Sequence, residues 1–120
     1  MIDRLDERNR DLTGDELQRI LAALANPHRL RILGTLASGS VHVSGLARAV
    51  GLGRPLVHMH LQRLEAAGLV SGRLEVSEDG KAMRFYEVTP FAIHLTPELI
   101  VDAVRTLTSE TPPPDPKETR

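Results

Sequence analysis

The first regular hydrophobic spacing in the chain is Leu17, Ile20, Leu21 and Leu24, at i, i+3, i+4 and i+7, which predicts a helix with one apolar stripe. Just before it, Thr13-Gly14-Asp15-Glu16 holds the residues of a reciprocal cap. A Thr oxygen is available to the free N–H groups of the first turn, and a Glu three residues on reaches back. Asn26-Pro27 then ends one helix and starts another, because Asn is a favoured N-cap and Pro fits the first helical position, where its missing N–H would be unbonded anyway. This second helix is expected to run to about Ala37, with Leu30, Ile32, Leu33 and Leu36 toward the core and Ser38-Gly39-Ser40 ending it. Val41-His42-Val43 reads as a short extended segment and Ser44 as the cap of a short helix over residues 45–50, stopped by Gly51-Leu52-Gly53. A longer helix is predicted from Arg54-Pro55 to about Ala67, burying Val57, Leu61 and Leu64, with Gly68 ending it in a left-handed conformation.

After Val70 the period changes. Ser71 to Ser77 alternates loosely, Glu78-Asp79-Gly80-Lys81 has turn chemistry, and Ala82 to Thr89 reads as a returning strand, so the segment is a predicted β-hairpin. Thr96-Pro97-Glu98 caps a last helix to about Leu107, with Ile100, Ala103, Val104 and Leu107 along one side. The chain thus divides into an arm or helical extension over residues 1–12, one folded domain over 13–109, and a Pro-rich polar tail over 110–120 that is expected to be disordered.

A short helix joined to a longer one by a Gly-bounded turn, with a hairpin following, is how a helix-turn-helix reads from sequence. Three segments carry a resemblance to a known family: residues 25–33 (ANPHRLRIL), 43–47 (VSGLA) and 60–70 (HLQRLEAAGLV). In this order and spacing they resemble the arsenical-repressor (ArsR) type winged-helix transcription regulators, over roughly residues 15 to 90. The resemblance implies a mainly α fold with a β-hairpin wing, a homodimer, a helix over residues 54–67 that enters the major groove, and a wing beside the DNA backbone. It also implies that many relatives sense metals through cysteines on the preceding helix; this sequence has none, so that site is absent. One departure bears on specificity. Where relatives usually carry Ser or Thr, near the start of the recognition helix and two residues before the matched His60, this chain has Gly53 and His58.

The residues can be read independently of that likeness. With Val57, Leu61 and Leu64 inward at about 100° per residue, the opposite side of the helix carries Pro55, His58, Met59, Gln62 and Arg63, and Arg54 stands at its start. Gln62 can pair with an adenine edge, Arg54 or Arg63 with a guanine or a phosphate, and Pro55 and Met59 can touch a thymine methyl. The plain alternative is a merely solvated helix face, but Pro, Met and His with few charges are an unusual choice for that. On the hairpin, Arg73, Lys81 and Arg84 are candidate phosphate contacts, opposed at the tip by Glu78 and Asp79.

The apolar stripes of the first helix (Leu17, Ile20, Leu21, Leu24) and last helix (Ile100, Val104, Leu107) exceed what a small winged helix is expected to cover internally, and the resemblance places both at a subunit interface. The alternative is that they only close the monomer core. A two-fold dimer would read a pseudo-palindrome with half-sites about one helical turn apart or a multiple of it.

Composition narrows the function classes. At 120 residues the chain bounds a single domain, and no apolar run approaches the roughly 18 residues of a membrane span. The charged N-terminus lacks a secretory stretch, so a cytoplasmic location is expected. Net charge is only −1, but residues 26–89 hold 8 Lys and Arg against 5 Asp and Glu, a local +3 between acidic flanks. Nothing supports catalysis: there is no Gly-rich phosphate loop, no cysteine nucleophile and no HExxH. No cofactor is expected, and His60 is expected to pack half-buried, with His28 and His42 structural or exposed. His94, Glu98 and Asp102 are the weak candidates for a cysteine-free metal site, since some relatives bind zinc on the C-terminal helix; Pro97 breaks their register. The expected function is therefore a sequence-specific regulator, a repressor, that binds double-stranded DNA as a homodimer, with an unidentified small-molecule effector compatible with it. The alternatives are a winged helix used for protein contacts and a metal-responsive repressor using His, Asp and Glu ligands.

Overall fold

The computed structural model describes residues 12–108, so the expected arm before Leu12 and the expected proline-rich tail lie outside the described residues. Helix α1 (Gly14–Leu24) starts where the Thr13 hydroxyl accepts from the Glu16 N–H at 3.1 Å and the Glu16 carboxylate accepts from the Thr13 N–H at 2.9 Å. The reciprocal cap read from the sequence is therefore formed. Helix α2 (Pro27–Leu36) follows, with the Asn26 side-chain oxygen accepting from the N–H groups of His28 and Arg29 at 2.8 and 3.1 Å. Of the apolar residues expected in its core face, Leu30 is not there: it is 53% exposed. The buried stripe is Arg29, Ile32, Leu33 and Leu36, at i, i+3, i+4 and i+7, which leaves Leu30 about 100° away from Arg29 around the helix.

Strand β1 (Val41–His42) leads directly into helix α3 (Val43–Val50), whose N-cap is His42, with no side-chain hydrogen bond. Ser44 is therefore inside the first turn and does not cap it. Starting at Val43 places Val43, Leu46 and Ala47 together on the buried face, and that burial sets the boundary. Gly51 closes α3 at φ 71°, and Gly53 is the N-cap of helix α4 (Arg54–Ala66). Gly68, at φ 76°, turns the chain out of α4 as expected.

Strands β2 (Val70–Val76) and β3 (Ala82–Val88) pair antiparallel from Val70↔Val88 to Val76↔Ala82. The residue 41–43 segment is more than a connector, because β1 adds to β3 through Val41↔Tyr86 and His42↔Phe85, making a three-stranded sheet in the order β1-β3-β2. Gly72 is required for this. A Cβ there would lie 2.7 Å from Cε1 of the buried Tyr86, whose ring rests on the β2 backbone. Past Gly72 the hairpin leaves the core and projects as a wing, with Leu74 and Val76 exposed on it.

The core is shared by all the central elements: Ile32 and Leu36 from α2, Leu46 from α3, Val57, Leu61 and Leu64 from α4, and Leu69 beyond it are fully buried. Helix α5 (Pro97–Arg105), capped by the Thr96 hydroxyl accepting from the Leu99 N–H at 3.0 Å, returns to pack on α1. The contact is close because Gly14 has no side chain. A Cβ there would stand 2.2 Å from the Ala103 carbonyl oxygen, and the Gly14 N–H donates to Thr106 Oγ1 at 2.8 Å. Gly14→Ala should accordingly lower the unfolding free energy by about 1–3 kcal/mol. Gly34→Ala, mid-helix with no atom within 4 Å of its Cβ, should raise it by about 0.5–1 kcal/mol. Denaturant unfolding of the two variants beside the parent checks the pair, and a neutral or stabilising Gly14→Ala would show that α1 and α5 can separate without loss.

Candidate nucleic-acid interface

Gly51 and Gly53 let the chain turn sharply between α3 and α4, so α4 lies with Val57, His60, Leu61 and Leu64 in the core. That placement leaves Arg54, Pro55, His58, Met59, Gln62 and Arg63 exposed on one continuous face. All six residues singled out on this helix from the sequence are therefore brought together. The side chains of Arg54, Gln62 and Arg63 make no hydrogen bond or ion pair among the described residues. No acidic residue stands in the first turn of the helix. Leu56, also exposed, joins this face; it was not picked out because its neighbour Val57 carries the buried period. The surface is polar, locally cationic and partly apolar, which suits base edges, phosphates and thymine methyls together.

The wing is less uniform. Lys81 and Arg84 are exposed and their side chains have no ion-pair partner among the described residues. Arg73, by contrast, is committed internally. Its guanidinium donates to Glu75 at 2.6 Å, to Glu87 at 3.1 Å and to the Ser40 hydroxyl at 3.3 Å, and sits 6.0 Å from the centre of the Phe85 ring. These carboxylates hold its proton above the ordinary arginine value. Arg73 thus fastens the base of the wing to the residue before β1, and its charge is largely spent there. Glu75 was legible as the same-face neighbour two residues on; Glu87 needed the strand register, in which it lies diagonally across from Arg73. At the tip, the Ser77 hydroxyl donates to the Asp79 carboxylate and holds its proton affinity below the usual carboxylate range, aided by the Lys81 N–H.

Beneath α4 lies a polar cluster that sequence patterning missed. Arg29, only 9% exposed, donates through Nε to the Ala23 carbonyl at 2.7 Å and through a second nitrogen to the Ala22 carbonyl at 3.4 Å. Its remaining nitrogen is 3.1 Å from Nδ1 of His60, which is 4% exposed and so more deeply placed than the half-buried position expected. The His28 ring lies 5.6 Å from that of His60. Burial first, then the charges of Arg29, His28 and Arg63, push the His60 imidazole below its ordinary value.

Of the seven residues expected at a subunit interface, Leu17 and Ile20 are buried within the single chain and Leu24 packs against its core. Leu21, Ile100, Val104 and Leu107 remain exposed and line an apolar groove between α1 and α5, floored by Leu17, Gly14 and Ala103. His94, Glu98 and Asp102 do not come together: among the described residues no group of three or more His, Cys, Asp or Glu side chains is placed to hold a metal ion. Asp102 lies 3.9 Å from Arg105. Among the same residues, no helix is long and apolar enough to cross a membrane.

Residues 26–71, from the cap of α2 to the start of β2, match the family model described as bacterial regulatory protein, arsR family. Over 78 residues, 65% of this chain and 81% of the relative, the sequence is 38% identical to an uncharacterized HTH-type transcriptional regulator of Methanocaldococcus jannaschii. It is 45% identical over 53 residues to the nodulation protein NolR of Rhizobium meliloti, covering 44% of this chain and 43% of that one. Among solved structures, it is similar to the homodimeric winged helix-turn-helix DNA-binding domain of a possible ArsR-family transcriptional regulator from Mycobacterium bovis. That match has a TM-score of 0.56 at 35% identity and covers 62% of this chain and 64% of that one. It is also similar to the transcriptional repressor BigR from Xylella fastidiosa, with a TM-score of 0.55 at 26% identity over 75% of this chain and 82% of the other. With the helix-turn-helix inside the matched segment and the wing folded beside it, the chain belongs to the ArsR family of bacterial regulatory proteins, as a winged helix-turn-helix transcriptional regulator and not an enzyme.

Proposed function

We propose that this protein is a repressor that binds a pseudo-palindromic DNA operator as a two-fold homodimer, with α4 in the major groove and the wing against the phosphate backbone. The observation that carries the reading is the outward face of α4, where Arg54, Gln62 and Arg63 stand exposed without side-chain partners among the described residues, beside Pro55, His58 and Met59. Gln62 and Arg63 read base edges; Arg54 serves a base or a phosphate at the start of the helix. Arg84 and Lys81 contact phosphate and hold register without selecting sequence, while Arg73 holds the wing in place. Dimer formation is supported by the apolar groove of Leu21, Ile100, Val104 and Leu107, an exposed patch that a second copy of α1 and α5 would cover. The M. bovis relative is described as a homodimeric DNA-binding domain and the X. fastidiosa relative as a repressor, in agreement with this reading.

Selection of bound fragments from genomic DNA by the purified protein tests the reading directly and supplies the duplex for quantitative work. Gln62→Ala and Arg63→Ala should each weaken that duplex by about tenfold or more and relax base preference, while the variants stay dimeric; unchanged affinity in both would remove α4 from the groove. Arg84→Ala should weaken all duplexes about equally and reduce the salt slope by roughly one unit, and a change in base preference instead would make the wing a reader of sequence. Val104→Asp, placing a carboxylate in the apolar groove, should give monomers in sedimentation at micromolar concentration; a variant that sediments as a dimer would move the interface elsewhere.

A further inference from the structure

The Arg29 cluster joins the three helices whose relative placement matters most for a two-fold reader of DNA. Its guanidinium ends α1 by donating to the carbonyls of Ala22 and Ala23, in the last turn, where a helix has unbonded carbonyls and the negative end of its dipole. No basic residue of α1 itself serves that purpose. Arg29 belongs to α2, and its free nitrogen reaches α4 at His60. Arginine has donors only, so Nδ1 of His60 must be an acceptor and the hydrogen of the neutral ring must sit on Nε2. Among the described residues that Nε2 is buried with no partner, as is Nδ1 of His28, so within them the Arg29 bond is the sole polar anchor of the His60 ring.

Resting on the reading of α4 as the DNA-facing helix, we infer that Arg29 and His60 are positioning residues for DNA binding: a polar joint that fixes α4 against the end of α1 and holds only while His60 is neutral. Protonated His60 could not accept from Arg29, and two cations would face each other in a buried site. The charged and titratable groups bearing on His60 are Arg29 and His28 from α2 and Arg63 from α4 itself. The other packed elements supply apolar side chains to the shared core, Ile20 and Ala23 from α1, Leu46 from α3 and Val70 from β2. Because α1 also lines the apolar groove, the joint sets the distance between that groove and the DNA-reading face.

The sign of the pH dependence follows from the lowered proton affinity of His60 in the folded protein. As pH falls through the ordinary imidazole value, the unfolded chain takes up a proton that the fold resists; the stability that neutral His60 contributes is full above that value and drains away down to the folded one. DNA affinity falls with it once the folded ring itself is protonated.

The test uses the full chain and the duplex selected above, with a scrambled duplex as control. His60→Asn keeps an acceptor near the Nδ1 position but cannot titrate; His60→Leu removes the acceptor and strands the Arg29 donor. At pH 8, His60→Asn should bind within about threefold of the parent, and His60→Leu about tenfold or more weaker at equal helicity by circular dichroism. From pH 8 to pH 5, the parent should lose unfolding free energy relative to His60→Asn, because its unfolded chain takes up a proton that the folded ring resists. The comparison cancels the exposed His58, which both proteins carry. If His60→Leu does not fold, the pH comparison of parent and His60→Asn decides alone. Parent-like binding by a folded His60→Leu, or parallel profiles of unfolding free energy against pH for the parent and His60→Asn, overturns the joint while leaving α4 in the groove. A parent that fails to prefer any duplex at pH 8 overturns the DNA reading and the joint with it.

Discussion

Helix α4 keeps one face in the core and the other open, and the packing of the rest of the fold around its buried side fixes which is which. Over Arg54–Ala66 only Val57, His60, Leu61 and Leu64 are buried, a narrow stripe for a helix that must not rock. Burying such side chains is worth about 1.5–3 kcal/mol each, with little directional preference of its own. Orientation comes instead from close packing against Ile32, Leu36, Leu46 and Leu69, and from the directed bond between His60 and Arg29. The opposite face is thereby free of structural duty, which is why it can carry Pro55, Met59 and Gln62, poor choices for a structural surface.

The wing follows a similar division. Near the core its geometry is held by packing, the Tyr86 ring over Gly72, and by the addition of β1 to β3. Farther out there is no core to hold it, and the Arg73 cluster with Glu75, Glu87, Ser40 and Phe85 takes over. An exposed ion pair contributes little to stability, but several directed bonds from one planar guanidinium do restrain the angle at which the hairpin leaves the sheet. Arg73 therefore shapes the wing, and Arg84 and Lys81 keep their charges available. In the same way α5 adds no side chain to the central core: its Leu99 and Ala103 are buried outside that cluster, and it offers Ile100, Val104 and Leu107 outward. The close approach at Gly14 holds that apolar ridge firmly against α1.

The residue sequence by itself determined the elements whose signals are local: the Thr13–Glu16 cap, the Asn26-Pro27 restart, the glycine-bounded turn, the ending at Gly68 and the hairpin turn all formed where their chemistry called for them. Period alone also separated the inward and outward faces of α4, because three leucine and valine positions at i, i+4 and i+7 leave no other choice. Tertiary structure decided whatever depended on a partner distant in sequence. Leu30 looked like a core residue and is exposed, because Arg29 takes its place in the stripe; an arginine can be buried there only because the end of α1 offers carbonyls and α4 offers a histidine. Arg73 looked like a free cation until strand register brought Glu87 to it. Ile20 and Leu24 looked surplus to a monomer until α1 was laid across the core, and Leu17 until α5 was laid beside α1. A cap or a turn is satisfied by atoms within a few residues, so composition reveals it, whereas the fate of a buried charge or an apolar stripe depends on which surface three-dimensional packing brings against it.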